Sequence, residues 1–543
     1  MRNAHWARLP HLVVVLVMVF GLAACSSDDD SPSQQIQPGL EVELDSGLLL
    51  GVEEESVRVF KGIAYAAPPV GELRWKGPQS PDSWTGLRDA TEFGAVCPQD
   101  DPLGLMGGAE QSEDCLFLNV FAPGVAPDRV LPVMVWIHGG AWITGSGSQD
   151  FYQAHTIVND GGVVVVSLNY RLGAFGYLAH AALTAESEYA ASGNYGQWDQ
   201  VAALEWVQRH IRAFGGDPGN VTIFGESAGG NAVCTLMASP LARGLFHRAI
   251  SQSGLCGAYG FEEGLASGET TGARFADSLG CSDLATTASC LRGKTTEEVR
   301  AIPTLEGNLR AWSGGAFYPP TESGFYFTQR IVDGYVLPRS VTEAFATGDI
   351  ADVPFLLGSN ADEGTLFHSP LLAVSVADEA GYRAALGRTF PGNVDAIMAE
   401  YPVQDFPSAS AALTEVTGDA FFVCTARQIA RDAADAGLPT FLYAFELVPD
   451  AILPGLGSLH TAEIPFVFGV DAFSLVTEAT RPLHDAMLGY WTRFAATGDP
   501  NNEGTDVWPA FDTTTQQNMI LDLPLATGTD HKQARCDFWD SIL

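Results

Sequence analysis

Ser227 lies at the centre of Gly225-Glu226-Ser227-Ala228-Gly229, a G-x-S-x-G segment. A serine hydroxyl becomes a strong nucleophile only when a neighbouring base takes its proton. The glycines serve a steric purpose: a sharp, strained turn from strand to helix exposes the hydroxyl, and only small flanking residues fit it. Such a turn also places the hydroxyl beside a helix N-terminus, where backbone N–H groups favour negative charge. An ordinary glycine-rich turn is the bland alternative, so context decides. Here Val221-Thr222-Ile223-Phe224 reads as a buried strand before the motif, and a helix is predicted after it through about Met237.

The base and its orienting acid must be sought elsewhere. In one known chain order the acid and then the histidine follow the serine. The downstream histidines are His247, His368, His460, His484 and His531. His460 occupies the loop Gly457-Ser458-Leu459-His460-Thr461-Ala462-Glu463, where an imidazole can be presented. His484 falls in a predicted helix, Leu483 to Phe494, and reads as a surface or packing residue. For the acid, Val353 to Gly358 reads as a strand followed by Ser359-Asn360-Ala361-Asp362-Glu363-Gly364. The chemistry alone does not choose between Asp362 and Glu363.

A third segment, His138-Gly139-Gly140-Ala141-Trp142, follows the apolar run Val130–His138. Glycines there let backbone N–H groups approach a developing oxyanion, each donor being worth roughly 10²–10³ in rate. The N–H of Ala228, the residue after the nucleophile, completes a candidate hole.

The elements that must position these groups alternate. Val130–His138 and Gly162–Asn169 are short runs rich in β-branched residues and read as buried parallel strands. Val201, Leu204, Val207, Ile211 and Phe214 form one helical face that stops at Gly215-Gly216-Asp217-Pro218. This order predicts an α/β fold with a mainly parallel sheet.

Composition removes several function classes. The chain of 543 residues carries 65 Asp+Glu against 28 Lys+Arg, a formal net charge of −37. So few cations in an acidic field exclude a nucleic-acid partner and disfavour an anionic membrane surface. H-E-x-x-H, paired C-x-x-C and P-loop patterns are absent from the sequence, and neither a metal nor another cofactor is called for.

Residues 1–24 read as a signal peptide: Arg2 and Arg8 precede a run of 13 apolar or small residues, Leu12 to Ala24. A bilayer span needs about 20. The run ends in Leu22-Ala23-Ala24-Cys25, which resembles a bacterial lipobox and implies lipidation of Cys25; an ordinary signal ending in A-x-A is the alternative. Residues 25–39 have linker composition, and Ser26 resembles an outer-membrane sorting residue. The expected location is therefore the bacterial envelope, with membrane contact only through a lipid anchor, or the exterior. Residues 40–543 are expected to form a single domain with long insertions.

Taken together, the motifs resemble the type-B carboxylesterase family, which includes cholinesterases and bacterial para-nitrobenzyl esterases. The resemblance runs from about Gly47 to Trp539. It is carried by Phe60-Lys61-Gly62-Ile63-Ala64-Tyr65-Ala66, by Glu113-Asp114-Cys115-Leu116-Phe117-Leu118-Asn119-Val120 and by Phe224 to Gly230 around the serine. Trp491-Thr492-Arg493-Phe494-Ala495-Ala496-Thr497-Gly498-Asp499-Pro500 carries it near the C-terminus. It implies an α/β-hydrolase fold, a large central sheet with helices on both faces. It further implies a Ser227–His460–Glu363 triad acting on a small-molecule ester through an acyl-enzyme, with oxyanion donors Gly140, Ala141 and Ala228. Ala141 departs from the usual third glycine, and its methyl is expected to crowd bulky substrates.

The resemblance also implies disulfides Cys97–Cys115, Cys281–Cys290 and Cys424–Cys536, leaving the pairing of Cys234 and Cys256 open. Cholinesterases keep a tryptophan in the first disulfide loop for cation–π binding. Residues 98–114 hold no aromatic side chain here, so uncharged aryl or alkyl esters are expected instead of choline esters. Trp142 reads either as a wall of the acyl pocket or as packing. The runner-up activity is a lipase for long acyl chains; a catalytically inactive adhesion module is the rival from another class.

Overall fold

The frame of the molecule is an eleven-stranded sheet. Its strands, in chain order, are β1 (Val52–Glu54), β2 (Val57–Ala64), β3 (Phe117–Pro123), β4 (Leu131–Ile137), β5 (Val164–Leu168) and β6 (Gly216–Glu226). The remainder are β7 (Arg248–Gln252), β8 (Phe355–Asn360), β9 (Thr440–Phe445), β10 (Gln517–Leu521) and β11 (Ala526–Thr529). The computed structural model describes residues 39–101, 106–124, 129–257, 262–301, 330–368, 376–448, 455–470, 474–502 and 507–543. The expected signal segment and Cys25 lie outside the described residues, while Pro38–Leu543 forms one compact unit.

Across the sheet the order is β11-β10-β9-β8-β7-β6-β4-β5-β3-β2-β1. From β10 through β5 every pairing is parallel, and antiparallel pairs close both edges. The central strands are apolar on both faces, as a doubly covered parallel sheet requires. In β4, Val133, Val135 and Ile137 join one core with Val201, Leu204 and Val207 of the helix Tyr195–His210. Met134 and Trp136 join the other, with Leu483, Met487 and Trp491 of the helix Arg481–Thr497. The α/β-hydrolase architecture is thus present, its sheet mainly parallel at the centre.

Two boundaries differ from expectation, each for a local reason. The Gly-Gly-Asp-Pro stretch ends the preceding helical segment at Gly215 (φ 96°) but does not delay the next strand. Gly216 pairs with Leu131 and Val221 with Val133, so Asp217–Asn220 is absorbed as an irregularity in β6. β8 begins at Phe355 and not at Val353, because Pro354 has no N–H to donate to a ladder. His484 lies in the helix Arg481–Thr497 as a packing residue, buried with Nδ1 2.9 Å from Phe466 O.

Among the described residues four disulfides are formed. Cys97–Cys115, Cys281–Cys290 and Cys424–Cys536 pair as the resemblance implies. Cys234–Cys256 adds a bridge from the helix Ala228–Ala238 to the segment after β7.

Candidate active site

Ser227 stands between β6 and the helix Ala228–Ala238 with φ 58° and ψ −121°, a conformation costly for a residue bearing a Cβ. The surroundings enforce it. Its N–H donates to Gln252 O at 2.9 Å, and its carbonyl accepts from Asn231 N at 2.9 Å. A Cβ on Gly225 would sit 2.6 Å from Ile137 O, and one on Gly229 would overlap the same carbonyl. The glycines therefore let the turn press against the end of β4.

The loop after β4 runs beside the nucleophile: a Cβ built on Gly139 would lie 3.1 Å from the Cβ of Ser227. Gly140, Ala141 and Trp142 all take positive φ (99°, 55° and 60°), and Ile143 N and Thr144 N fold back onto Gly140 O. Gln99, from the first disulfide loop, braces this turn. Its Oε1 accepts from Gly145 N and Thr144 Oγ1, both at 2.7 Å, and its Nε2 donates to Gly145 O at 2.9 Å. Among the described residues the N–H groups of Gly140 and Ala141 donate to no protein acceptor, which leaves them available to an oxyanion. Trp142 is buried within the main core, with the Arg330 guanidinium 6.0 Å from its ring, a packing position.

Glu363 and His460 meet across two loops. Glu363 Oε2 lies 2.5 Å from His460 Nδ1, and both side chains are buried. Asp362, the alternative acid, instead accepts from Ser458 N at 2.8 Å and so holds the histidine loop in place. The ring of His460 is flanked by Phe367 at 5.1 Å and Phe422 at 4.9 Å, the latter on a one-turn π-helix, Asp419–Val423. None of the other downstream histidines is brought to Glu363. His247 takes a hydrogen bond from Val221 N, His368 meets Thr417 Oγ1, and His531 lies 3.8 Å from Glu446.

Two further carboxylates close on His460 that motif reading did not single out. Glu226 Oε1 lies 3.2 Å from His460 Nε2, and Glu463 is buried three residues after the histidine. Burial opposes a charged imidazole, yet Glu226 and Glu363, with a smaller contribution from Glu463, outweigh it and raise His460 to about 9. Burial in turn pushes Glu226 well above the ordinary carboxylate range, with His460 pulling it back. Gln252 and Asn360 were also missed. The signal for Glu226 was a carboxylate adjoining Ser227, and for Glu463 one three residues after His460; for the two amides no local signal exists. Among the described residues no cluster of His, Cys, Asp or Glu is arranged to hold a metal.

Comparison with known proteins identifies the family. A sequence model of the carboxylesterase family matches residues 38–539. The chain is 36% identical over 495 residues to the para-nitrobenzyl esterase of Bacillus subtilis, covering 89% of this chain and 95% of that one. It is 36% identical over 520 residues to the medium-chain fatty acyl-CoA hydrolase precursor of Anas platyrhynchos, covering 90% and 88%. A solved para-nitrobenzyl esterase structure superposes with a TM-score of 0.79 at 34% identity, over 92% of this chain and all of that one. The chain belongs to the carboxylesterase family and is a serine carboxylic ester hydrolase.

Proposed function

We propose that Ser227, His460 and Glu363 form the catalytic triad of this esterase. His460 takes the Ser227 proton as Oγ attacks the ester carbonyl, and Glu363 orients the ring and stabilises the imidazolium. The N–H groups of Gly140, Ala141 and Ala228 hold the tetrahedral oxyanion. His460 then protonates the leaving alcohol, and a water activated by the same ring releases the acid. The observation that carries this reading is the 2.5 Å contact from His460 Nδ1 to Glu363 Oε2, made by buried side chains of two separate loops. Ser227→Ala is expected to lower kcat for p-nitrophenyl acetate by at least about 10³ while the fold is retained; turnover within tenfold of wild type would refute the triad.

The substrates we assign are uncharged aryl or short alkyl esters. Three observations support this: a first disulfide loop without aromatic residues, Ala141 at the oxyanion turn, and relatives that include a para-nitrobenzyl esterase. We further infer that the mature chain begins at a lipidated Cys25 and is tethered to the envelope. Labelling with a fatty-acid probe that survives Cys25→Ala would contradict that assignment.

A further inference from the structure

Ser227, Glu363 and His460 lie on three different segments, and one buried chain of hydrogen bonds joins all three. The backbone carbonyl of Gln252 accepts from Ser227 N at 2.9 Å. Its side-chain Nε2 donates to Glu463 Oε1 at 3.1 Å, and the other oxygen of Glu463 accepts from Asn360 Nδ2 at 2.7 Å. Asn360 N in turn donates to Glu363 Oε1 at 2.7 Å, and Glu363 Oε2 reaches His460. Gln252, Glu463, Asn360 and Glu363 are all fully buried.

The orientation of the Gln252 amide follows from its other neighbour. Trp491 Nε1 lies 3.0 Å from Gln252 Oε1, and an indole N–H can only donate. The oxygen must therefore face Trp491, which leaves the NH₂ group facing Glu463. Asn360 Nδ2 is turned the same way, since it also donates to Leu459 O at 2.8 Å. Both oxygens of Glu463 thus meet donors, the arrangement that satisfies an ionised carboxylate and not a carboxylic acid.

We propose that Gln252 is a positioning residue: fixed by Trp491, its amide holds Glu463 ionised beside His460 and ties the nucleophile's turn to the histidine loop. This rests on the triad reading above and adds to it a negative charge beyond those of Glu363 and Glu226. The groups facing His460 are Glu226 at the end of β6, Glu363 after β8 and Glu463 on its own loop. Tyr443 of β9 faces all three carboxylates, and Tyr152 faces Glu226 and Glu463. Burial, and then the nearby Glu363, push the Glu463 carboxyl above the ordinary carboxylate range, and the amides of Asn360 and Gln252 pull it back. Among the described residues neither lysine nor arginine pairs with these carboxylates, so the charge of Glu463 depends on its two amide donors.

The test is the pH dependence of kcat/KM. Gln252→Met removes one donor, so Glu463 takes up a proton more readily and His460 loses a stabilising charge. The acid limb then moves to lower pH by about one unit, and the plateau kcat falls about tenfold, the equivalent of one pKa unit. KM changes by less than about twofold. Glu463→Gln shifts the limb the same way, and adding Gln252→Met to it shifts it no further. Trp491→Phe, which keeps an aromatic ring but frees the amide, gives a smaller shift in the same direction and serves if Gln252→Met does not fold. A purely structural role would lower thermal stability and leave the limb unmoved; an unmoved limb in the folded variants overturns the proposal. Ser227→Ala, assayed alongside, separates the two failures: an inactive Ser227→Ala with an unmoved limb refutes the role of Gln252 alone, whereas an active one refutes the triad.

Discussion

The reacting residues work through the charges around them. His460 must be neutral to accept the Ser227 proton, and its folded-state value is raised above that of free imidazole, to about 9. Activity is therefore lost as pH falls through that range, and an alkaline optimum is expected. Glu226→Gln removes the carboxylate 3.2 Å from Nε2 and should move the acid limb to lower pH, read from kcat/KM across the pH range; a limb that stays in place would show that Glu226 carries no charge in the working enzyme. Ser227 and His460 could be singled out in the sequence because each sits in a short segment with its own turn chemistry, whereas Glu363 was distinguished from Asp362 only by the family resemblance. Gln252 and Asn360 could not. Their partner Glu463 is 211 and 103 residues away, and no local pattern records a contact that only the folded sheet creates.

At the scale of elements, the proposed nucleophile and acid stand just beyond the ends of neighbouring parallel strands. β6 ends at the nucleophile, β7 ends at Gln252 and β8 ends at Asn360, three residues before the acid. The strands were legible as β-branched apolar runs. Their ends were less so, because Pro354 trims β8 and the Asp217–Asn220 irregularity lengthens β6. The bridge Cys234–Cys256 was left open by the sequence, since pairing depends on how the helix after Ser227 lies over β7. It closes a loop of 22 residues immediately behind the nucleophile turn. On a chain-entropy basis its removal costs about 3 kcal/mol. Cys234→Ala/Cys256→Ala should therefore unfold at lower urea by that free energy, while a folded double variant keeps its KM. An unchanged urea midpoint would show that the bridge adds no stability.

The whole molecule is strongly anionic, and the sequence states this fully even though it cannot say which carboxylates are buried. Several acids are neutralised inside, as Asp199 is by Arg171 and Glu113 by Arg74, but 65 acids against 28 bases leave a large surplus. Surplus charge of one sign destabilises the compact state by self-repulsion. The screening length shrinks from about 30 Å at 0.01 M salt to about 3 Å at 1 M. The unfolding temperature is thus expected to rise with sodium chloride over that range, and a fall would place the dominant electrostatics in attractive pairs instead. The proposed nucleophile is a single atom of this molecule, Ser227 Oγ. Its most direct test is peptide mass mapping after stoichiometric inactivation with a fluorophosphonate. One phosphonyl group per chain is expected, carried by the peptide containing Ser227, with loss of hydrolysis in proportion to labelling and no labelling of Ser227→Ala. Inactivation with the label on another residue, or hydrolysis that survives full labelling of Ser227, would contradict it.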